Sequence, residues 1–253
     1  MMTESILDSI SLPTDLRALP EDALPEVCDA VREFIVDNVS RTGGHFASNL
    51  GTVELTVALH YVFNTPDDEI VWDTGHQAYT HKLLTGRRDA FSSLRTFRGI
   101  SGFPTPEESL YDTYPVGHAG TSISVALGLA KARNLRAQSH HVAAVIGDGS
   151  LTSGLALEGL NNAHNTTRFL VVLNDNEMSI SPTTGALASH FSKIVSHPRY
   201  LQVKHEIGAA INRTPLIGRF LSKMIQRIQG GFKHMLAPQN VFEQLGIDRS
   251  EER

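Results

Sequence analysis

Apolar residues recur near helical spacing through "PEDALPEVCDAVREFIVDNVSRTGG" (residues 20–44), and a glycine pair ends the run, which predicts an amphipathic helix. "TVELTVALHYVFN" (52–64) predicts a second helix, with Leu55, Leu59 and Val62 along one side. "EIVWD" (69–73) has the length and content of a short strand, and "TGHQAYTHKLLTG" (74–86) follows it as a turn and a helix. "GHAGTSISVALGLAKARNL" (117–135) is rich in small residues, as a helix packed closely on a sheet would be. "HVAAVI" (141–146) and "RFLVVL" (168–173) are continuous apolar runs, the pattern of strands buried on both faces, and "LTSGLALEGLNNAH" (151–164) between them is helical. Strands alternating with helices predict an α/β fold: a parallel β-sheet with helices on both faces, joined by right-handed crossovers.

At 253 residues the chain can bury one large core, and a net charge of −5 gives no reason to expect a nucleic-acid partner. The single cysteine, Cys28, excludes an internal disulfide framework and reads as a small core residue of the first long helix. The N-terminal stretch carries acids where a signal peptide needs bases, and no apolar run approaches the roughly 18–20 residues of a membrane span. A soluble, cytoplasmic protein without a membrane span is therefore expected. Past residue 182 the character changes: Ser192 to Ala237 holds eight Lys or Arg and one acid. The expected organisation is a single domain over 1–253, with the motifs in 1–182 and a basic, mobile helical segment over 183–240. A solvated face is the plain reading of that segment; a cover over an anionic substrate or a docking surface are the functional ones.

Two oxygen-rich clusters stand at predicted strand ends. Asp148 follows "AAVIG", and Asn174, Asp175 and Asn176 follow "FLVVL". Asp148 and Asn176 are 28 residues apart, near the ~30 residues of one strand–helix–strand unit, so on neighbouring strands they would face one small volume. Gly147 and Gly149 allow a sharp turn and close approach, and a helix starting near Ser150 to Ser153 would aim free N–H groups at the same place. One carboxylate and one amide oxygen form a hard, sparse donor set of the kind Mg²⁺ takes when phosphate and water complete its shell. The residues thus point to a diphosphate held through a metal ion, against the plain alternative of a strand-end turn whose Asp caps a helix. Neither G-x-x-x-x-G-K-[ST] nor G-x-G-x-x-G occurs, which argues against P-loop and dinucleotide-binding proteins.

"GDG" with a downstream asparagine pair resembles the thiamine-diphosphate motif of transketolase-like enzymes. "GGHFASNLGTVELTVALHYVFNTP", "WDTGHQAYTHKLLTGRRD", "VGHAGTSIS" and "LNDNEMSIS" are similar, from about residue 13 to about residue 246, to the 1-deoxy-D-xylulose-5-phosphate synthase family. That resemblance implies thiamine diphosphate and Mg²⁺ as cofactors, with pyruvate and glyceraldehyde 3-phosphate as substrates. It implies metal ligation by Asp148 and Asn176 side chains and the Met178 carbonyl, with Gly147, Gly149 and Ser150 along the diphosphate. His76, and His118 beside Gly117, would line the diphosphate and thiazolium side, with Ser122 and Ser124 nearby. His45 is the candidate for proton transfer, because an imidazole titrating near neutral pH suits that work. His60, His81, His140, His141 and His164 are expected at the surface or in packing.

The family's chain is longer. Its second domain carries the glutamate that meets the aminopyrimidine and the arginines for substrate phosphate, and no residue here matches either. Two further departures are Pro182, where the family usually has Glu, and Gly120, where serine is common. The expected state is a homo- or hetero-oligomer with a chain carrying the pyrimidine-binding domain. The open alternatives are a truncated, non-catalytic paralogue that binds cofactor or pairs with a full-length enzyme, and a split transketolase subunit with another donor or acceptor.

Overall fold

The computed structural model describes residues 5–174 and Ile247. Three strands form one sheet in the order β1 (Glu69–Trp72), β2 (Val142–Gly147), β3 (Phe169–Asn174), and both pairings are parallel. The register sets Trp72 opposite Val145 and Gly147 opposite Asn174. Because all strands run one way, their C-terminal ends share one edge of the sheet. The predicted α/β fold and parallel sheet are therefore observed.

β2 is buried along Val142 to Ile146, as a central strand covered on both faces must be. One face is covered through Leu59 of α4 (Val53–Val62) and Ala78, which cluster with Ile70, Trp72 and Val145. Alternate residues project to the opposite face, and α6 (Ser122–Leu135) packs against all three strands.

A helical layer precedes the sheet. α1 (Pro13–Arg17) leads to α2 (Leu24–Thr42), where Pro25 sits in the first turn and Gly43 stops the helix with φ 75°. Val27, Val31, Ile35 and Val39 recur every four residues and are all buried, together with Cys28. They meet Val53 and Val57 of α4, Tyr79 of α5 (Tyr79–Lys82), and Phe91 and Leu94 beyond it. The short α3 (Phe46–Leu50) joins α2 to α4. This apolar layer supports the loops that carry the site.

Two predicted helices start elsewhere than the pattern suggests. Residues 117–121 stay outside α6, because Gly117 and Gly120 take φ 150° and 81°. The run 151–164 divides into α7 (Asp148–Leu151) and α8 (Gly154–Asn161). Ser153 is extended between them, and its side chain accepts from Ala156 N, an N-cap that ends one helix and starts the next.

Candidate functional site

Two loops leave the sheet at its C-terminal edge, after β1 and after β2, and β3 ends at the same edge. Asp73 follows β1, Gly147 ends β2 with Asp148 directly after it, and Asn174 ends β3. In open α/β sheets this edge is where ligands bind. Asn176, Met178, Pro182 and the basic segment lie outside the described residues. Among the described residues no group of three or more His, Cys, Asp or Glu converges as a metal site.

Asp73 organises the first loop, although the sequence pattern gave it no role. It is buried at 1% exposure, and its carboxylate accepts from Gly120 N (2.9 Å) and Ser122 N (3.1 Å). It therefore caps α6 from another element and draws residues 117–122 onto the strand end. At Gly120 a Cβ would lie 1.9 Å from Ser153 Oγ, and φ is 81°. The glycine standing where the family often has serine is thus what this close approach of loop and α8 cap requires.

His45 and His76 come together from the loops before α3 and after β1. Their rings meet edge to face at 5.2 Å. Asn49, fully buried, fixes both loops at once. Its Nδ2 donates to His45 O (2.5 Å) and His76 O (2.8 Å), and its Oδ1 accepts from Tyr79 N (2.8 Å). Tyr79 Oη in turn accepts from His45 N. Arg95 Nη1 lies 3.3 Å from His45 Nδ1; a guanidinium only donates, so Nδ1 accepts and the ring proton sits on Nε2. Burial, then the Arg95 charge, holds the His45 pKa below the ordinary imidazole value. Burial and the neighbouring His45 do the same for His76, against a smaller opposing effect of Asp73. Both rings are therefore neutral at neutral pH.

The remaining predicted residues divide. His76 Nδ1 and Ser122 Oγ are buried polar atoms with no partner among the described residues, and buried groups of this kind normally have one. Gly117 and Gly149 border open space among the described residues, where a Cβ would meet none of their atoms within 4 Å. Asp148 is half-buried as the first residue of α7, so that helix starts earlier than Ser150. His118 is exposed on the loop that Asp73 anchors. Ser124 points away from the group: its Oγ donates to Leu155 O (2.8 Å) and joins α6 to α8.

A buried polar chain escaped the sequence reading. Thr65, His60, His81 and Asp112 are linked by contacts of 3.0, 2.9 and 2.8 Å. Asp112 also accepts from Arg87 Nη1 (2.6 Å) and Nη2 (2.8 Å), and against burial, which pushes it up, the hydrogen bonds from His81 and then Arg87 hold its carboxyl below the usual range. An ionised carboxylate only accepts, so His81 donates from Nε2 and accepts at Nδ1; His60 then donates from Nε2 and accepts the Thr65 hydroxyl at Nδ1. Burial depresses the pKa of both histidines, consistent with two neutral rings. Lys82 and Glu108 form a second ion pair alongside at 2.6 Å. His60 and His81 are packing residues as expected, yet as links in a chain whose members are far apart in sequence.

Solved structures share this architecture. A Pichia stipitis transketolase variant crystallised with xylulose 5-phosphate matches 67% of this chain and 30% of its own with a TM-score of 0.59 at 17% identity. Another variant, with fructose 6-phosphate, gives 0.59 at 18% identity over 66% of this chain and 30% of its own. At such identities the likeness establishes the fold, which is transketolase-like. Residues 7–250 match the family model for 1-deoxy-D-xylulose-5-phosphate synthase. The chain belongs to that family. The Caldanaerobacter subterraneus synthase is 50% identical over 96% of this chain, and the Desulforudis audaxviator synthase 52% over 96%. The chain spans 39% and 38% of the length of those relatives.

Proposed function

We propose that this chain forms the thiamine-diphosphate- and Mg²⁺-binding part of a 1-deoxy-D-xylulose-5-phosphate synthase, which decarboxylates pyruvate and transfers the two-carbon unit to glyceraldehyde 3-phosphate. The observation that carries the reading is the gathering of Asp73, the 117–122 loop, Gly147–Asp148 and the end of β3 at one sheet edge. The orphaned His76 Nδ1 and Ser122 Oγ, and the open space beside Gly117 and Gly149, suit a polyanionic cofactor. His76, Gly117, His118, Ser122, Gly147, Gly149 and Ser150 would hold it. Asp148 would hold Mg²⁺ with Asn176 and the Met178 carbonyl.

Bound thiamine diphosphate supplies an electron sink for the two-carbon unit. The protein's part is proton handling and orientation. Arg95 keeps the His45 proton on Nε2, so a neutral imidazole can donate to a substrate oxygen and take the proton back. Groups from the part of the relatives that this chain does not cover, the pyrimidine-binding domain among them, would complete the reaction.

Calorimetric titration with thiamine diphosphate, with and without Mg²⁺, tests the reading beside an Asp148→Asn variant. Metal-dependent binding that the variant loses is the expected result. Metal-independent binding that survives the substitution counts against it. Turnover of both substrates is expected once a second-domain polypeptide is added; binding without turnover under every pairing would favour a non-catalytic paralogue.

A further inference from the structure

The buried ion pairs described above do more than neutralise one another. Glu108 accepts from Lys82 Nζ and also from Ser101 N (2.5 Å). Asp112 accepts from Arg87 and His81 and also from Thr105 N (2.7 Å). Ser101 and Thr105 flank a three-residue turn, Gly102–Phe103–Pro104. Each carboxylate therefore grips one side of that turn with a backbone bond, and is itself held by cations or an imidazole on residues 81–87. The Phe103 ring lies 6.2 Å from the His45 ring, tilted by 58°. Arg95 crosses Gly102, where a Cβ would come within 3.0 Å of its Cγ, and reaches His45 Nδ1. Two positive and two negative side chains balance, so a neutral His81 leaves the clasp without net charge.

We propose that this clasp is a positioning element of the site: by locking residues 101–112 onto residues 81–87, it holds Phe103 and Arg95 against the His45 imidazole. The clasp residues touch no substrate in this account; they act through Phe103 and Arg95. The catalytic consequence rests on the functional reading above, but the positioning itself does not. Loosening the turn exposes His45 to water, and burial is the main cause of its low pKa.

The test uses the whole chain, Glu108→Gln and Phe103→Leu, with histidine titrations and amide exchange followed by NMR. In Glu108→Gln one oxygen must serve both donors and the Lys82 ammonium takes it, so Ser101 exchange should accelerate about tenfold or more, the factor for losing a bond to a charged acceptor. The His45 pKa should move up toward the ordinary value, while the global urea midpoint stays close to that of the wild-type chain. Phe103→Leu leaves the clasp intact, so it should shift His45 and leave the Ser101 and Thr105 amides protected. A His45 titration unmoved in Phe103→Leu overturns the proposal, as does a Glu108→Gln in which amides throughout the chain lose protection together with global stability. No cofactor is added, so a wild-type chain that fails to bind thiamine diphosphate would refute the functional reading and leave this result standing.

Discussion

Asp73→Asn removes one charge from a buried position and almost no volume, which makes it a clean probe of the first site loop. The carboxylate accepts two backbone N–H groups at the start of α6. An asparagine keeps one acceptor and turns an NH₂ toward the second N–H, so one bond to a charged acceptor is lost at about 1.5–3 kcal/mol. The favourable contact of a negative charge with the α6 N-terminus goes too, worth up to about 2 kcal/mol when partly buried. Together the expected loss is about 2–5 kcal/mol. For a chain of this size that lowers Tm by about 4–20 °C. Circular dichroism melts at pH 8 read the stability, and calorimetry with thiamine diphosphate and Mg²⁺ reads the loop. Cofactor affinity should fall with Tm, because the freed loop carries Gly117, His118 and Ser122. A variant melting within about 2 °C of wild type, with unchanged affinity, would show that Asp73 does not hold this loop.

Gly75 has φ 83°, and a Cβ there would lie 2.4 Å from Val116 Cγ2 and 2.7 Å from Pro104 Cδ. Gly75→Ala should cost about 2–5 kcal/mol from left-handed strain and overpacking, measured by urea unfolding; a loss under about 1 kcal/mol would contradict this packing. His60 and His81 have pKa values depressed in the fold, so the unfolded chain binds more protons as pH drops below about 6.5. The urea midpoint should therefore be lower at pH 5.5 than at pH 7.5, and a flat midpoint across that interval would refute the neutral-histidine assignment. Cys28 is buried and burial raises its thiol pKa, so it should resist a water-soluble disulfide reagent until urea unfolds the chain. Rapid labelling of the native protein would be the contrary result.

What local pattern can specify was legible in the sequence. The apolar runs of β2 and β3 have the length and composition of buried strands. Gly43 ends α2 through a backbone preference of its own, and "GDG" falls at a strand end wherever the preceding run is a strand. The sequence blocks also carry the family. Helix starts were less legible: α6 begins only at Ser122, because Gly117 and Gly120 adopt φ values no helix allows and Asp73 claims the N–H groups of the loop. The tertiary fold alone decided which remote groups meet. Asp73 finds its donors 47 and 49 residues downstream. Asn49 bridges two histidine loops, and His60, His81 and Asp112 join across separations of 21 and 31 residues. Helical and strand periodicities report which way a side chain faces, not which partner waits there. A buried polar group is settled only when chain crossovers bring its hydrogen-bond partner within about 3 Å.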